Sequence, residues 1–168
     1  LNDGGLYQMI VQVKDNSSNA VNSTMSTFNW DASAPNLFNP KPSNNSYITS
    51  LTTAVFSINL TEQNINSTIN VTLFYRKPTL GVNSKTMNCR KTNETGYDGA
   101  DGPNLICNVT VNLQNDGFAD NNTVHYWFNT TDLAGRTGNN GTQTTPLNAT
   151  IDVTNPSVSL TGPADGIK

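Results

Sequence analysis

The chain has 168 residues, a length that suits one ordinary domain and a remainder, and it carries 9 Lys and Arg against 12 Asp and Glu for a net charge of −3. Only 12% of the residues are charged, and so weak a field argues against nucleic acid or an anionic membrane surface as the partner. No stretch approaches the roughly 18 apolar residues of a spanning helix, so we expect no insertion into a membrane.

Asparagine, serine and threonine supply the polarity that charge does not, with 27, 13 and 23 residues. Asn, Ser and Thr compete with helical hydrogen bonds through their side chains, whereas Thr packs well on a pleated surface. The composition therefore predicts an all-β fold.

Four segments alternate apolar and polar residues, as half-buried strands do. They span residues 54–61, 70–75, 107–113 and 124–131. The side chains predicted to face inward are Ala54, Phe56, Ile58, Leu60, Val71, Leu73, Tyr75, Cys107, Val109, Val111, Leu113, Val124, Tyr126 and Phe128.

Three weaker runs, near residues 47–50, 85–90 and 147–153, bring the total to about seven strands at the spacing of a sandwich. Turns rich in Gly, Pro and Asn separate the runs, as at residues 40–45 and 133–141. The pattern predicts an immunoglobulin-like sandwich of two packed antiparallel sheets.

Twelve asparagines begin the N-glycosylation triplet Asn-X-Ser/Thr, about twice the six or so that this composition produces by chance. They are Asn16, Asn22, Asn44, Asn59, Asn66, Asn70, Asn93, Asn108, Asn121, Asn129, Asn140 and Asn148. A triplet spans positions i and i+2, so on a strand both of its ends face the same side. We expect sugars on most of them, although polar β-surfaces also generate such triplets by accident.

Three pairs of similar segments, which occur in the same order along the chain, indicate an internal repeat. Residues 1–11 echo 113–117 and the strand that follows, 14–16 echo 131–133, and 28–38 match 150–159, with Asp31 on Asp152 and Pro35 on Pro156. The repeat predicts that residues 1–33 are the last two strands of one unit, 34–154 a whole unit and 155–168 the first strand of a third. We therefore expect either a longer tandem array or neighbouring copies that complete each other's sheets.

These residues resemble the bacterial and archaeal immunoglobulin-like repeats of cell-surface proteins, whose late strands read Asp-Gly-x-Tyr, Asp-x-Ala-Gly-Asn and Asp-x-x-x-Pro. The matches are Asp3-Gly4 with Tyr7, Asp15, Asp31 with Pro35, Asp116-Gly117, Asp132-Leu133-Ala134-Gly135, and Asp152 with Pro156 leading to residues 162–166. The first copy has Ser18-Asn19 where the pattern has Ala-Gly, and the second has Arg136 in place of Asn. The resemblance implies a surface stalk, adhesin segment, S-layer or filament subunit, and no catalytic residues.

Cys89 and Cys107 are the two cysteines, and in an exported chain we expect them to pair. The alternative is two unpaired buried thiols. His125 is the single histidine, which leaves too few ligands for zinc and no evident catalytic partner. The acidic turn at residues 98–102 could approach calcium, but a plain exposed turn is the simpler interpretation.

Trp127 is predicted to face outward, where a neighbouring domain, a subunit or a sugar would cover it, unless the strand phase is misjudged. Trp30 precedes the border at Asp31 and is a second candidate for an interface.

The leading hypothesis is a non-enzymatic structural subunit of an extracellular, glycosylated filament or surface layer. Such subunits would assemble as homo-oligomers through strand edges and apolar contacts, with no cofactor besides covalent N-linked glycans and no metal. The alternative is an adhesin or carbohydrate-binding module of a larger cell-surface protein. A third, remote possibility is the accessory domain of a secreted glycoside hydrolase.

Overall fold

The computed structural model describes residues 1, 5–62, 71–91 and 104–157. These residues form strands and connections without a helix, so none of them provides a helix long and apolar enough to cross a membrane. The strands are β1 (Leu6–Met9), β2 (Gln12–Lys14), β3 (Ala20–Asn22), β4 (Ser26–Asn29), β5 (Asn36–Lys41), β6 (Ser46–Ile48), β7 (Ala54–Thr61), β8 (Thr72–Arg76), β9 (Asn83–Thr86), β10 (Asn88–Lys91), β11 (Asn104–Val111), β12 (Thr123–Thr131), β13 (Thr137–Asn140) and β14 (Leu147–Ile151).

Strands β5 to β14 form a sandwich of two sheets, which confirms the predicted fold class. The four-stranded sheet has the order β10-β11-β7-β5. The six-stranded sheet has the order β6-β14-β12-β8-β9, and β13 also pairs with β12. One sheet thus takes strands β5, β7, β10 and β11, and the other takes β6, β8, β9, β12, β13 and β14. This division of the strands between two sheets is the immunoglobulin arrangement.

One strand pair departs from the expected antiparallel pattern. Strand β6 runs parallel to β14, with Ser46 opposite Ala149 and Ile48 opposite Ile151. The chain at the start of the sandwich therefore crosses from the four-stranded sheet, which contains β5, to the six-stranded sheet, which contains β6. Period-2 patterning carries no information about the direction of a partner strand, which is why the sequence missed this pairing.

The core lies between the two sheets. Phe56 of β7 contacts Tyr75 of β8 and Tyr126 of β12, with ring centroids 6.3 and 5.4 Å apart. Of the side chains predicted to face inward, all are buried except Val109, which is partly buried against the core. Burial of each large apolar side chain contributes about 1.5–3 kcal/mol, so the alternating pattern is the main source of stability.

Three stretches of the sandwich differ from the sequence prediction. The run at residues 85–90 is divided between β9 and β10, which belong to different sheets, and the buried Met87 lies between them. Strand β13 lies within the predicted turn at residues 133–141, and β5 was not predicted as a separate strand. Each is a short strand whose pairing depends on tertiary contacts rather than on its own pattern.

The Asp-Gly motif at Asp116 anchors the connection between β11 and β12. The Tyr75 hydroxyl donates a hydrogen bond to the Asp116 carboxylate at 2.7 Å, and burial raises the pKa of Tyr75 well above its usual value. Gly117 has a φ of +77°, a conformation that side chains rarely adopt, and its carbonyl accepts a hydrogen bond from Lys77.

Residues 5–30 form a separate hairpin from two paired strand segments, β1 with β4 and β2 with β3. Its turn runs from Asp15 to Asn19, and Ser18 takes a φ of +67°. In the turn after β12, the residue with positive φ is Gly135, at +82°. Ser18 therefore corresponds to Gly135, and Asn19 corresponds to Arg136, which corrects the expected alignment of Ser18-Asn19 with Ala-Gly.

Candidate assembly and glycosylation surfaces

None of the nine sequon asparagines that the structure describes lies in the core. Four are exposed and five are partly buried, and the other three fall outside the described residues. The exposed ones are Asn16, Asn22, Asn44 and Asn121; the partly buried ones are Asn59, Asn108, Asn129, Asn140 and Asn148; those outside the description are Asn66, Asn70 and Asn93. Glycosylation at all twelve stays a prediction.

Strand geometry keeps the sequons of the four-stranded sheet away from its core. Asn59 on β7 follows Ile58, and Asn108 on β11 follows Cys107; both preceding side chains are fully buried. Because successive side chains point to opposite faces, the two asparagines lie on the outer face. Sugars at these positions would extend away from the packed interior.

Two of the partly buried sequon amides already make hydrogen bonds, and a third has a buried oxygen. Asn129 Nδ2 donates to Asn139 Oδ1 at 2.7 Å, and Asn140 Nδ2 donates to the Leu37 carbonyl at 3.0 Å. Asn148 Oδ1 is buried without a hydrogen-bond partner among the described groups. Asn16 and Asn121 are exposed, and Asn121 Nδ2 makes only a long bond, 3.4 Å, to the Asp120 carboxylate, so we expect both asparagines to be modified more readily.

Trp127 lies on the outer face of the six-stranded sheet, but its own chain covers it. Its ring stacks on Phe74 of the neighbouring strand, with centroids 5.5 Å apart and planes 8° from parallel. A Cβ on Gly141 would lie 3.1 Å from the Trp127 Cβ, so the backbone before β14 closes over the same residue. With 7% of Trp127 exposed, its burial needs no second domain or sugar, and a role in an interface stays a prediction.

The linker before β5 is fixed to the turn between β12 and β13 by Arg136. Arg136 lies 3.1 Å from the Asp31 carboxylate and 3.8 Å from the Asp132 carboxylate, and it also donates to the Asp31 carbonyl. The Asp132 carboxylate in turn accepts the Arg136 backbone N–H at 2.7 Å. We call Asp31, Asp132 and Arg136 the linker joint.

The linker joint places one guanidinium, that of Arg136, beside two carboxylates. Both carboxylates are largely buried, with 8% and 0% of the Asp31 and Asp132 side chains exposed. Buried carboxylates need a positive partner or hydrogen bonds, and Arg136 supplies one to both. Among the described residues there is no group of three or more His, Cys, Asp or Glu side chains placed to hold a metal ion. In the sequence, Arg136 was noticeable only because it stands where the repeat pattern has Asn. The sequence did not show that Asp31 is its partner.

Trp30 lies at the end of the hairpin beside the linker. Its side chain is 41% exposed, and its backbone N–H donates to the Gly5 carbonyl at 2.9 Å. The position fits the expected contact between units, and that contact stays a prediction.

The disulfide prediction is confirmed. Cys89 on β10 lies directly opposite Cys107 on β11, and the two are bonded and buried. The bond joins an edge strand to the centre of the four-stranded sheet, so it stabilises the sheet on the side away from β5.

His125 lies on the outer face of β12, opposite Arg76 of β8. Partial burial lowers the pKa of His125, and the positive charge of Arg76 lowers it further. Its Nδ1 is buried and makes no hydrogen bond to the residues that the structure describes, so none of their carboxylates orients the ring through that atom. The acidic turn at residues 98–102 lies outside the described residues.

A scan against protein-family models finds no match, and a search of curated proteins finds none. Among solved structures, the chain is similar to AggA, the major subunit of aggregative adherence fimbriae type I from Escherichia coli, at 12% identity and a TM-score of 0.30. The match covers 89% of this chain and 97% of that one. So distant a likeness carries no argument about function.

Proposed function

We propose that the chain is a non-enzymatic structural subunit of an extracellular filament or surface layer, built from immunoglobulin-like units whose outer faces carry N-linked glycans. The observation that carries the proposal is the separation of two kinds of surface. Seven of the nine described sequon asparagines lie in the sandwich and outside its core, whereas ten of the sixteen exposed large apolar side chains among the described residues lie within residues 1–30.

The two surfaces suit two roles. Large exposed apolar patches on soluble proteins usually mark contacts with other proteins, so the hairpin is the natural place for assembly. Asn22 pairs with Gln12, on the hairpin face opposite the apolar side chains Val11 and Val13. A sugar there would leave the apolar face free for contact.

The disulfide agrees with a location outside the cell. Disulfides persist in oxidising compartments, and Cys89 and Cys107 form one within a buried sheet. The subunits would associate head to tail, and a contact of that kind that does not close into a ring produces a filament.

The sugar claim is tested by intact mass of native material before and after removal of N-glycans, with peptide mapping. We expect sugar at Asn121 and none at the adjacent Asn122, which begins no triplet. The variant Thr123→Ala, which removes the triplet and keeps the asparagine, should lose the sugar at Asn121. A mass change equal to fewer than two glycans contradicts the proposal.

The assembly claim is tested by negative-stain microscopy of native particles. Regular filaments or a lattice support a structural subunit. Dispersed monomers contradict it and favour the alternative, an adhesin or carbohydrate-binding module of a larger surface protein.

A further inference from the structure

The hairpin of residues 5–30 repeats the β12–β13–β14 hairpin of the sandwich, pair by pair. In the first, Leu6 to Met9 pair with Asn29 to Ser26; in the second, Thr123 to Tyr126 pair with Thr150 to Leu147. Towards the turn, Lys14 pairs with Ala20 as Thr131 pairs with Thr137. Each residue of the first strand thus corresponds to the residue 117 positions later.

The two turns are built by the same hydrogen bonds. The Asp15 N–H donates to the Asn19 carbonyl, and the Asn19 N–H donates to the Asp15 carboxylate, at 3.0 and 2.9 Å. Asp132 and Arg136 make the same two bonds, at 2.9 and 2.7 Å. The Asn19 side-chain amide also donates to the Asp15 carboxylate, at 2.9 Å, and this bond together with the one from the Asn19 backbone N–H holds the pKa of Asp15 below its usual value.

A cross-strand side-chain bond is repeated as well. Gln12 Nε2 donates to Asn22 Oδ1 at 2.9 Å, and Asn129 Nδ2 donates to Asn139 Oδ1 at 2.7 Å. Both hairpins are interrupted at the same place, opposite Ile10 in the first and opposite Trp127 in the second. In the first hairpin three residues, 23–25, lie between the two paired segments, but the Ser23 N–H still donates to the Val11 carbonyl at 2.7 Å, so the interruption itself is residues 24–25. In the second hairpin the interruption is six residues, 141–146.

The hairpins differ in what lies beneath them. In the sandwich, Val124, Tyr126 and Phe128 are fully buried in the core that the four-stranded sheet closes. The equivalent side chains of the first hairpin are Tyr7, Met9 and Val11, followed by Val13 in place of the buried Thr130. Met9, Val11 and Val13 are 53%, 51% and 65% exposed.

We infer that the face formed by Tyr7, Met9, Val11, Val13 and Phe28 is the inner face of an immunoglobulin-like unit and docks on the apolar side of a four-stranded sheet of that architecture. The repeat itself specifies this partner. The equivalent face of the second hairpin, formed by Val124, Tyr126 and Phe128, packs on a four-stranded sheet within this chain. An isolated two-stranded hairpin is marginally stable in water, so docking would order it.

A second copy of the described sandwich does not provide this occupant. Its four-stranded sheet already packs its inner face on β12 and β8, and its outer face carries polar side chains such as Asn59 and Asn108. The sheet must therefore come from strands other than those described here.

The test supplies that sheet from the chain's own sequence. Residues 34–122, which precede the second hairpin, are joined directly to residue 6, since Leu6 corresponds to Thr123. The test protein is thus residues 34–122 followed by 6–168, and a positive control carries residues 123–151 in place of 6–30. Both are made without glycans, so the result does not depend on the proposed function.

Hydrogen exchange reports the docking. We expect the hairpin amides to exchange quickly in the original chain and at least about 100-fold more slowly in the test protein, as buried strands do. Met9→Asp, on the inner face, should abolish the protection, whereas Gln8→Asp, on the outer face, should preserve it.

Either of two outcomes overturns the inference. One is an unprotected hairpin in the test protein, whether or not the positive control folds as two units. The other is an equal effect of Met9→Asp and Gln8→Asp, because a hairpin that docks by its inner face must distinguish the two.

Discussion

Gly138 and Pro35 are in contact where no side-chain carbon fits: a Cβ on Gly138 would lie 2.1 Å from the Pro35 carbonyl oxygen. Strand β13 and the linker before β5 therefore touch through backbone. We expect Gly138→Ala to force them apart and to lower the free energy of unfolding by about 1–3 kcal/mol, the usual cost of overpacking. Chemical denaturation measures the loss. Gly81→Ala is the matched control, since a Cβ there meets nothing within 4 Å; equal stability of the two variants would contradict this contact.

Arg136→Gln should loosen the linker joint. The change leaves the buried carboxylates of Asp31 and Asp132 without their cation, and an unsatisfied buried acceptor costs about 1–3 kcal/mol. The low end applies because 37% of the Arg136 side chain is exposed. Urea unfolding gives the difference, and Arg136→Lys, which retains the charge, should recover part of it. A variant Arg136→Gln as stable as the original chain would show that solvent serves the carboxylates equally well.

Reduction of the disulfide should cost about 3 kcal/mol, the chain-entropy effect of a loop of this size; Cys89 and Cys107 are 18 residues apart. Unfolding with and without reductant gives the difference. The double variant Cys89→Ala with Cys107→Ala should be equally stable under both conditions. Stability that does not change on reduction of the original chain would place the restraint elsewhere in the four-stranded sheet.

His125 should make stability depend on pH in one window. Its folded pKa lies below the ordinary 6.5, so the unfolded chain binds the proton more readily. Stability is therefore complete above pH 6.5 and falls as the pH drops from 6.5 towards the folded pKa. Thermal unfolding across this range measures the effect. His125→Gln should flatten it, and an NMR titration midpoint at or above 6.5 would contradict the burial argument.

Asp120 should make the stability of the fold depend on pH in the acid range. Its carboxylate accepts hydrogen bonds from the Thr154 hydroxyl and from the Val153 N–H, the latter at 2.9 Å, and these bonds lower its pKa from 3.8. A lowered carboxylate pKa gives stability above the unfolded pKa and loses it as the pH falls further. We expect Asp120→Asn to reduce the loss of stability below pH 4 in acid unfolding. A pH profile that matches the original chain would indicate that these bonds are replaced by water.

The parts of the fold that depend on local alternation could be predicted from the sequence. Phe56, Leu73 and Tyr126 each occupy the inward phase of their strand, and each is buried. The direction of β6 beside β14, and the division of residues 85–90 between two sheets, could not be predicted, because both depend on which strands meet after the sheets have formed.

In the candidate surfaces, too, features that follow from local alternation could be predicted and features that depend on tertiary contacts could not. Outward placement follows from period 2 for Asn59 and Asn108, since each alternates with a buried neighbour. The cover on Trp127 comes from Phe74, which is 53 residues away in the chain and adjacent only through the pairing of β8 with β12. Arg136 likewise contacts Asp31 across more than 100 residues, so its role is visible only in three dimensions.

The parallel pair of β6 and β14 has a mechanical consequence for a sandwich stretched between its two ends. Backbone bonds from Asn45 to Asn148 and from Asp152 to Ile48 lengthen the pair at both ends. Tension that draws two parallel strands in opposite directions loads every bond between them at once, in shear, rather than opening them one at a time. A chain of such units would resist extension at its terminal strands first, before force reached the core.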